Sequence, residues 1–246
     1  MGPRAEEPAL APLDESFERA LIVVAHPDDV DYSGLGAAAH RWTARGKHVA
    51  YLVCSRGEAG IDALEPEAAA PLRCAEQLAA ARAVGVRAVE FAEFADGAIE
   101  YSVALRCRIA AAIRRHRPGA VFTLSPHARG GGGGLNLADH RVVARAALDA
   151  VRDAANRWVC RELLREGLEP WHGVHLAACA TSPRPTHALD LTGSVEAGVA
   201  GLLEHRAYLA SVGSPEGAAR ALRASLAAAG TAAGCEAALA LEVLAL

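Results

Sequence analysis

Residues 20–33 read Ala20-Leu-Ile-Val-Val-Ala25-His26-Pro-Asp-Asp-Val-Asp-Tyr-Ser33, an apolar run that passes directly into an imidazole and three carboxylates. Six apolar residues rich in β-branched side chains suit a strand buried on both faces, the kind found in parallel sheets. A helical pattern over 34–45 follows it, and the same strand-then-helix order recurs three more times. The strands are expected at 48–54, 88–91 and 120–124, and the helices at 71–84, 103–116 and 139–154. Weaker strands are expected at 174–179 and 188–191, with a last long helix over about 194–209. Four such units define an α/β protein with a mostly parallel sheet and helices on both faces. In sheets of this kind ligands bind beyond the carboxyl ends of the strands, so the chemistry belongs in the loops after each strand.

Composition limits what those loops can serve. The 246 residues, 52% hydrophobic and 22% charged, suffice for one α/β domain with a real core. A formal charge of −4 and an aromatic content of 4% argue against nucleic acid as a partner. The uncharged stretch 224–235 is mostly Ala and far short of the ~20 strongly apolar residues of a membrane span. The first twenty residues carry Pro and acids where an export signal needs an apolar run, so a cytoplasmic protein is expected. Six dispersed Cys (54, 74, 107, 160, 179 and 235) without a CxxC pair are read as buried thiols in a reducing compartment. Residues 1–16 read as an N-terminal extension and 212–246 as an Ala-rich helical tail; homo-oligomerisation is left open.

The loop after the first strand places His26, Asp28, Asp29 and Asp31 where desolvation is severe, and unpaired charges there are costly. A divalent cation neutralises them. One imidazole and one carboxylate make two-thirds of a catalytic zinc shell, which takes a third ligand and keeps a position open for water. Asp139-His140, opening the fourth helix at another carboxyl end, can supply that ligand.

At these residues the chain resembles the PIG-L/LmbE-type N-acetylglucosaminyl deacetylases. Their signature is Ala-His-Pro-Asp-Asp with an acid one residue further on, here Ala25-His26-Pro27-Asp28-Asp29-Val30-Asp31, and a later His-Pro-Asp-His segment. The resemblance extends from about 20 to 211 and includes Gly57-Glu58, Arg73 with Glu76, Asp96-Gly97, the pattern over 117–123 and His205. It implies a Rossmann-like fold and one zinc per chain held by His26, Asp29 and His140. It also implies Asp28 as general base, Asp139 as part of the catalytic group, and Arg73 and Asp96 lining a sugar pocket. Arg56 and Glu58, in the loop after the second strand, are further substrate-binding candidates. The implied activity is hydrolysis of the N-acyl amide of an amino sugar or small glycoconjugate.

One position departs from the pattern. The later segment stands as Leu137-Ala138-Asp139-His140, so the His credited with protonating the leaving amine is absent. Loss of a general acid costs ~10²–10⁴-fold in rate. Three accounts stay open: His127, His187 or His205 substitutes, with His127 favoured because it shares the loop; the proton comes from water; or the chain is a weakly active or non-catalytic sugar binder. The glycines 130–134 after His127 are expected to form a mobile lid. His172 and His175 receive no role, and His40, His48 and His116 are read as structural. Gly34-Leu-Gly36-Ala-Ala-Ala39 also matches a dinucleotide fingerprint, with Arg56 placed to read a 2′-phosphate, the mark of an NADP oxidoreductase. Against that, three acids stand where the pyrophosphate would lie, and the glycines are better read as permitting close helix packing.

Overall fold

The computed structural model describes residues 10–246. The elements run β1 (Ala11–Pro12), β2 (Arg19–Val24), α1 (Asp29–Tyr32), α2 (Leu35–Ala44), β3 (His48–Val53), α3 (Pro66–Ala83), β4 (Ala88–Phe91) and α4 (Val103–His116). They continue β5 (Ala120–Thr123), α5 (Ala138–Ala155), α6 (Glu162–Arg165), β6 (Leu176–Ala180), β7 (His187–Asp190), α7 (Val195–Leu203), α8 (Arg206–Val212), α9 (Pro215–Ala233) and β8 (Ala238–Leu244). The strands form one sheet in the order β1-β7-β8-β6-β5-β2-β3-β4. Every pairing is parallel except the two made by β8, which runs antiparallel between β6 and β7.

The apolar run at 20–25 alternates between the two faces of this sheet. Ile22 and Val24 enter a core with Trp42, Tyr51 and Phe122, where the Trp42 and Phe122 ring centroids are 4.6 Å apart. Leu21 and Val23 enter the other, with Leu105, Ile109, Ile113 and Val143. Burial on both faces explains why this strand shows no polar alternation. From β2 the chain order proceeds outward through β3 to one edge, whereas β5 and β6 lie on the other side. The point of reversal is therefore beside β2, and the loops after β2 and β5 meet there.

Three expectations about the fold are corrected. The tail over 212–246 is not all helix: α9 is followed by β8, an interior strand that buries Ala238 and Leu241. The helix expected over 194–209 is two helices, α7 and α8, broken at His205 (ψ 54°). And the six Cys are not all thiols, because Cys107 on α4 and Cys160 in the loop after α5 form a disulfide with a Cα–Cα separation of 5.4 Å. Sequence spacing hid that pair, since 53 residues separate its members. Cys54, Cys74, Cys179 and Cys235 are free. Of the N-terminal extension, residues 1–9 and the export reading placed on them lie outside the described residues; Ala11–Pro12 pair with β7 and form one edge of the sheet. No helix of the described residues is long and apolar enough to cross a membrane.

Candidate metal and catalytic site

The loop after β2 turns sharply. Asp28 caps α1 with φ 87° and ψ −23°, a left-handed conformation that few non-glycine residues tolerate, though Asp is among those that do. Its backbone N–H donates to Oε1 of Gln77 on α3 at 2.9 Å. This turn presents the two adjacent carboxylates differently. Asp29 faces back toward the strand end, where its Oδ2 accepts the backbone N–H groups of Ala25 (3.1 Å) and His26 (2.9 Å). Asp28 faces Arg73, whose Nη2 lies 3.1 Å from Asp28 Oδ1 and also donates to the Pro27 carbonyl. The Arg73 guanidinium in turn lies over the Tyr208 ring, 3.8 Å from its centroid.

His26, Asp29 and His140 converge at the meeting of the β2 and β5 loops. Nε2 of His140 is 2.9 Å from Asp29 Oδ1 and 3.2 Å from Nδ1 of His26. The opposite nitrogen of His26, Nε2, faces Asp96 Oδ1 at 3.1 Å and Asp139 Oδ2 at 3.3 Å. Donor atoms of His26, Asp29 and His140 all lie within 4.8 Å of one another. Two imidazoles and a carboxylate form the nitrogen and oxygen donor set that zinc and similar divalent ions take, with carboxylates orienting the remaining ring nitrogen of one of them. The residues present thus fit a divalent metal.

The charges of these side chains follow from this geometry. Burial disfavours the imidazolium of His26, but hydrogen bonds to Asp29 and Asp96 outweigh it and push its pKa up to about 11. Burial alone would raise Asp29; hydrogen bonds from His140 and His26 hold it far below the usual carboxylate range instead. For Asp28 burial wins, and its pKa rises to about 7 against the opposing pull of Arg73. Two neighbouring carboxylates therefore have opposite acid–base character, one fixed as an anion and one able to exchange a proton near neutrality.

A cleft of about 630 Å³ opens over these groups, lined by His26, Asp28, Asp29, Tyr32, Arg73, Asp96, Leu137, Asp139, His140 and Tyr208, with Ala59, Gly60, Gly97 and Ala138. Asp96 is both in the cleft and tied to the neighbouring loop, through its Oδ2 to the Ala59 N–H at 2.8 Å. Asp139 is buried at the base of the cleft and accepts the N–H groups of Gly97 and Ile99. Arg56 and Glu58, expected at the substrate, do not line the cleft. Glu58 accepts the backbone N–H groups of Asp96 (2.9 Å) and Arg56 (3.2 Å), and so shapes the loops.

The three histidines considered as replacements for the residue missing at 137 also lie elsewhere. His127 turns away to Glu242 on β8, at 2.8 Å. His205 is fully buried against Asp31, and His187 sits on β7 beside Thr186. Leu137 itself lines the cleft, 59% exposed. Tyr32, Tyr208 and Gln77 join the site without having been singled out in the sequence. Tyr208 belongs to α8, far along the chain, and nothing in its local pattern distinguishes it from a packing residue.

The dinucleotide reading also fails on geometry. A Cβ at Gly36 would lie 2.6 Å from Asp31 Oδ1, so this glycine makes room for a buried carboxylate. Gly34 caps α2 at φ 85° against Leu226. The five-glycine run forms a tight turn, with the Gly130 N–H donating to the Gly134 carbonyl (3.0 Å) and the flanking Arg129 and Leu135 bridged.

An α/β protein with a metal-fitting site at the carboxyl ends of its central strands is the class so defined. The family model described as GlcNAc-PI de-N-acetylase (PIG-L) matches residues 21–151, more than half of the chain, and the protein belongs to that family. A diacetylchitobiose deacetylase of Thermococcus kodakarensis is 28% identical over 181 residues; the match covers 73% of this chain and 66% of that protein, just under two thirds of its length. The N,N'-diacetylchitobiose deacetylase of Pyrococcus horikoshii, solved with an inhibitor, superposes with a TM-score of 0.85 at 21% identity, covering 94% of this chain and 85% of that one. The same fold is shared, at TM-score 0.74 and 20% identity, by GalB, a 4-carboxy-2-hydroxymuconate hydratase of Pseudomonas putida, over 92% of this chain and 96% of that one. The fold is therefore that of the PIG-L/LmbE deacetylases, Rossmann-like as expected, but fold alone does not choose the reaction.

Proposed function

We propose that the protein is a zinc-dependent N-deacetylase acting on an N-acetylated amino sugar or a small conjugate of one. The observation that carries this reading is the division of labour between adjacent carboxylates, Asp29 turned into the His26–His140 donor set and Asp28 held out of it by Arg73. Zinc bound by His26, Asp29 and His140 would supply Lewis acidity, activating water at neutral pH and polarising the amide carbonyl. Asp28 then serves as general base. Arg73 occupies its Oδ1, which leaves Oδ2 to take the proton of the attacking water. Asp96 and Asp139 hold the His26 ring through Nε2. Tyr32 and Tyr208 line the cleft where a sugar would lie and offer it their hydroxyl groups.

A second reading rests on Leu137. With no acid at that position, a weakly active or purely sugar-binding protein fits the same cleft. One assay separates the two: acetate release from a panel of N-acetylglucosaminyl conjugates, with and without chelator and with Asp28→Asn. Chelator-sensitive release that Asp28→Asn abolishes supports the enzyme, and binding without release supports the alternative.

A further inference from the structure

Asn136 stands one residue before the departure at Leu137 and makes three contacts. Its Nδ2 donates to the backbone carbonyls of Ser125 (2.7 Å) and His127 (3.2 Å), and its Oδ1 lies 3.2 Å from Nδ1 of His140. The two carbonyls can only accept, so the amide nitrogen must face them and the amide oxygen must face His140. An amide oxygen also only accepts, so Nδ1 of His140 must carry hydrogen. With Nδ1 so engaged, Nε2, which faces Asp29 and His26, is the nitrogen that gives up its proton when a metal takes its place.

We infer that Asn136 is a positioning residue that fixes the tautomer and ring angle of His140 so that Nε2 is presented as a metal donor. The inference rests on the metal reading above. The partner that Asp96 and Asp139 provide for His26 is provided for His140 by a neutral amide, and the amide is itself aimed by the backbone of the β5 loop. That loop has its own anchors: the Asn136 N–H donates to the Ala128 carbonyl, the Gly131 N–H to the Thr181 carbonyl, and the His127 ring meets Glu242. His127, expected to be the acid, instead takes part in holding the loop that holds Asn136.

The test measures metal binding and does not depend on turnover. Zinc affinity is determined by competition with a chromophoric chelator, the cobalt-loaded protein is followed by its visible spectrum, and the metal-free protein by thermal unfolding. Asn136→Ala is expected to weaken zinc ~10–100-fold and to alter the cobalt spectrum, with the metal-free unfolding temperature near that of the parent. Asn136→Asp keeps an oxygen facing Nδ1 but sets its other oxygen against the Ser125 and His127 carbonyls, so it is expected to recover only part of the affinity. Glu242→Ala, which loosens the same loop from the β8 side, leaves zinc affinity within a few-fold of the parent. Parent affinity and spectrum in Asn136→Ala, or an equal loss in Glu242→Ala, would overturn the assignment. A parent protein that binds neither zinc nor cobalt overturns it together with the metal reading, and a metal-binding parent without deacetylase activity leaves it standing.

Discussion

Nε2 of His205 lies 2.9 Å from Oδ2 of Asp31, across 174 residues of sequence, and neither side chain is more than 1% exposed. The pair joins the short helix bearing the motif to the break between α7 and α8, and so ties Tyr208 to the carboxylate loop. Removing one partner of such a pair leaves the other buried and unmatched, at a cost of roughly 3–5 kcal/mol. His205→Ala is accordingly expected to lose stability of that order by denaturant unfolding. A loss under ~1 kcal/mol would show that the pair does not hold these elements together.

The two adjacent Asp residues should fail differently. Asp28→Asn is expected to keep about one zinc per chain and lose at least ~10²-fold in kcat, whereas Asp29→Ala and His140→Ala should lose the metal itself. Metal content by mass spectrometry alongside turnover distinguishes these outcomes; full activity in Asp28→Asn would place the base elsewhere.

Leu137 offers a gain-of-function test. Leu137→His is expected to raise kcat by ~10-fold or more, with KM nearly unchanged, because the position lines the cleft and is open enough to accept the ring. If the rate does not move, the leaving amine takes its proton by a route that needs no side chain at 137.

Glu90 makes stability depend on pH away from the site. Hydrogen bonds from His116 and Arg115 hold its pKa at about 2, against the raising effect of burial. A carboxylate depressed in the folded state contributes its full stabilisation above its unfolded value of ~4.3 and loses it as pH falls toward the folded value. The parent should exceed Glu90→Gln by roughly 1–2 kcal/mol at pH 7, and the gap should close between about pH 5 and pH 2. A gap that is constant with pH in chemical denaturation would contradict this.

The disulfide between Cys107 and Cys160 ties α4 to the loop beyond α5 across 53 residues. Closing a loop of that size contributes ~2–4 kcal/mol, so Cys107→Ser or reduction should lower the unfolding temperature by roughly 5–15 °C. Unchanged melting with and without reductant would mean that the packing of α4 on α5 suffices.

Sequence pattern carried far where local chemistry and final environment agree. The strand at 88–91 and the helix at 103–116 stand at the expected bounds, the helix helped by Ser102, whose side chain accepts the Leu105 N–H. The candidate donor set was legible because His26, Asp29 and His140 belong to two short motifs, whose donor atoms the fold brings within 4.8 Å of one another. What escaped is non-local. Ala238–Leu244 has the composition of a helix and becomes a strand because β6 and β7 stand on either side of it. The helical periodicity of 194–209 runs through His205, and its two glycines, Gly198 and Gly201, lie inside α7 and do not mark the break. His127 lay in the right loop, but Glu242, which captures it, is 115 residues away.

The place of β8 bears on the order in which the molecule can be made. Because β6 and β7 pair only through β8, neither completes its hydrogen bonding until the last strand has entered between them. Until then a folding chain carries two open strand edges, each a template for pairing with another molecule. Closure of both edges therefore depends on a single seven-residue strand.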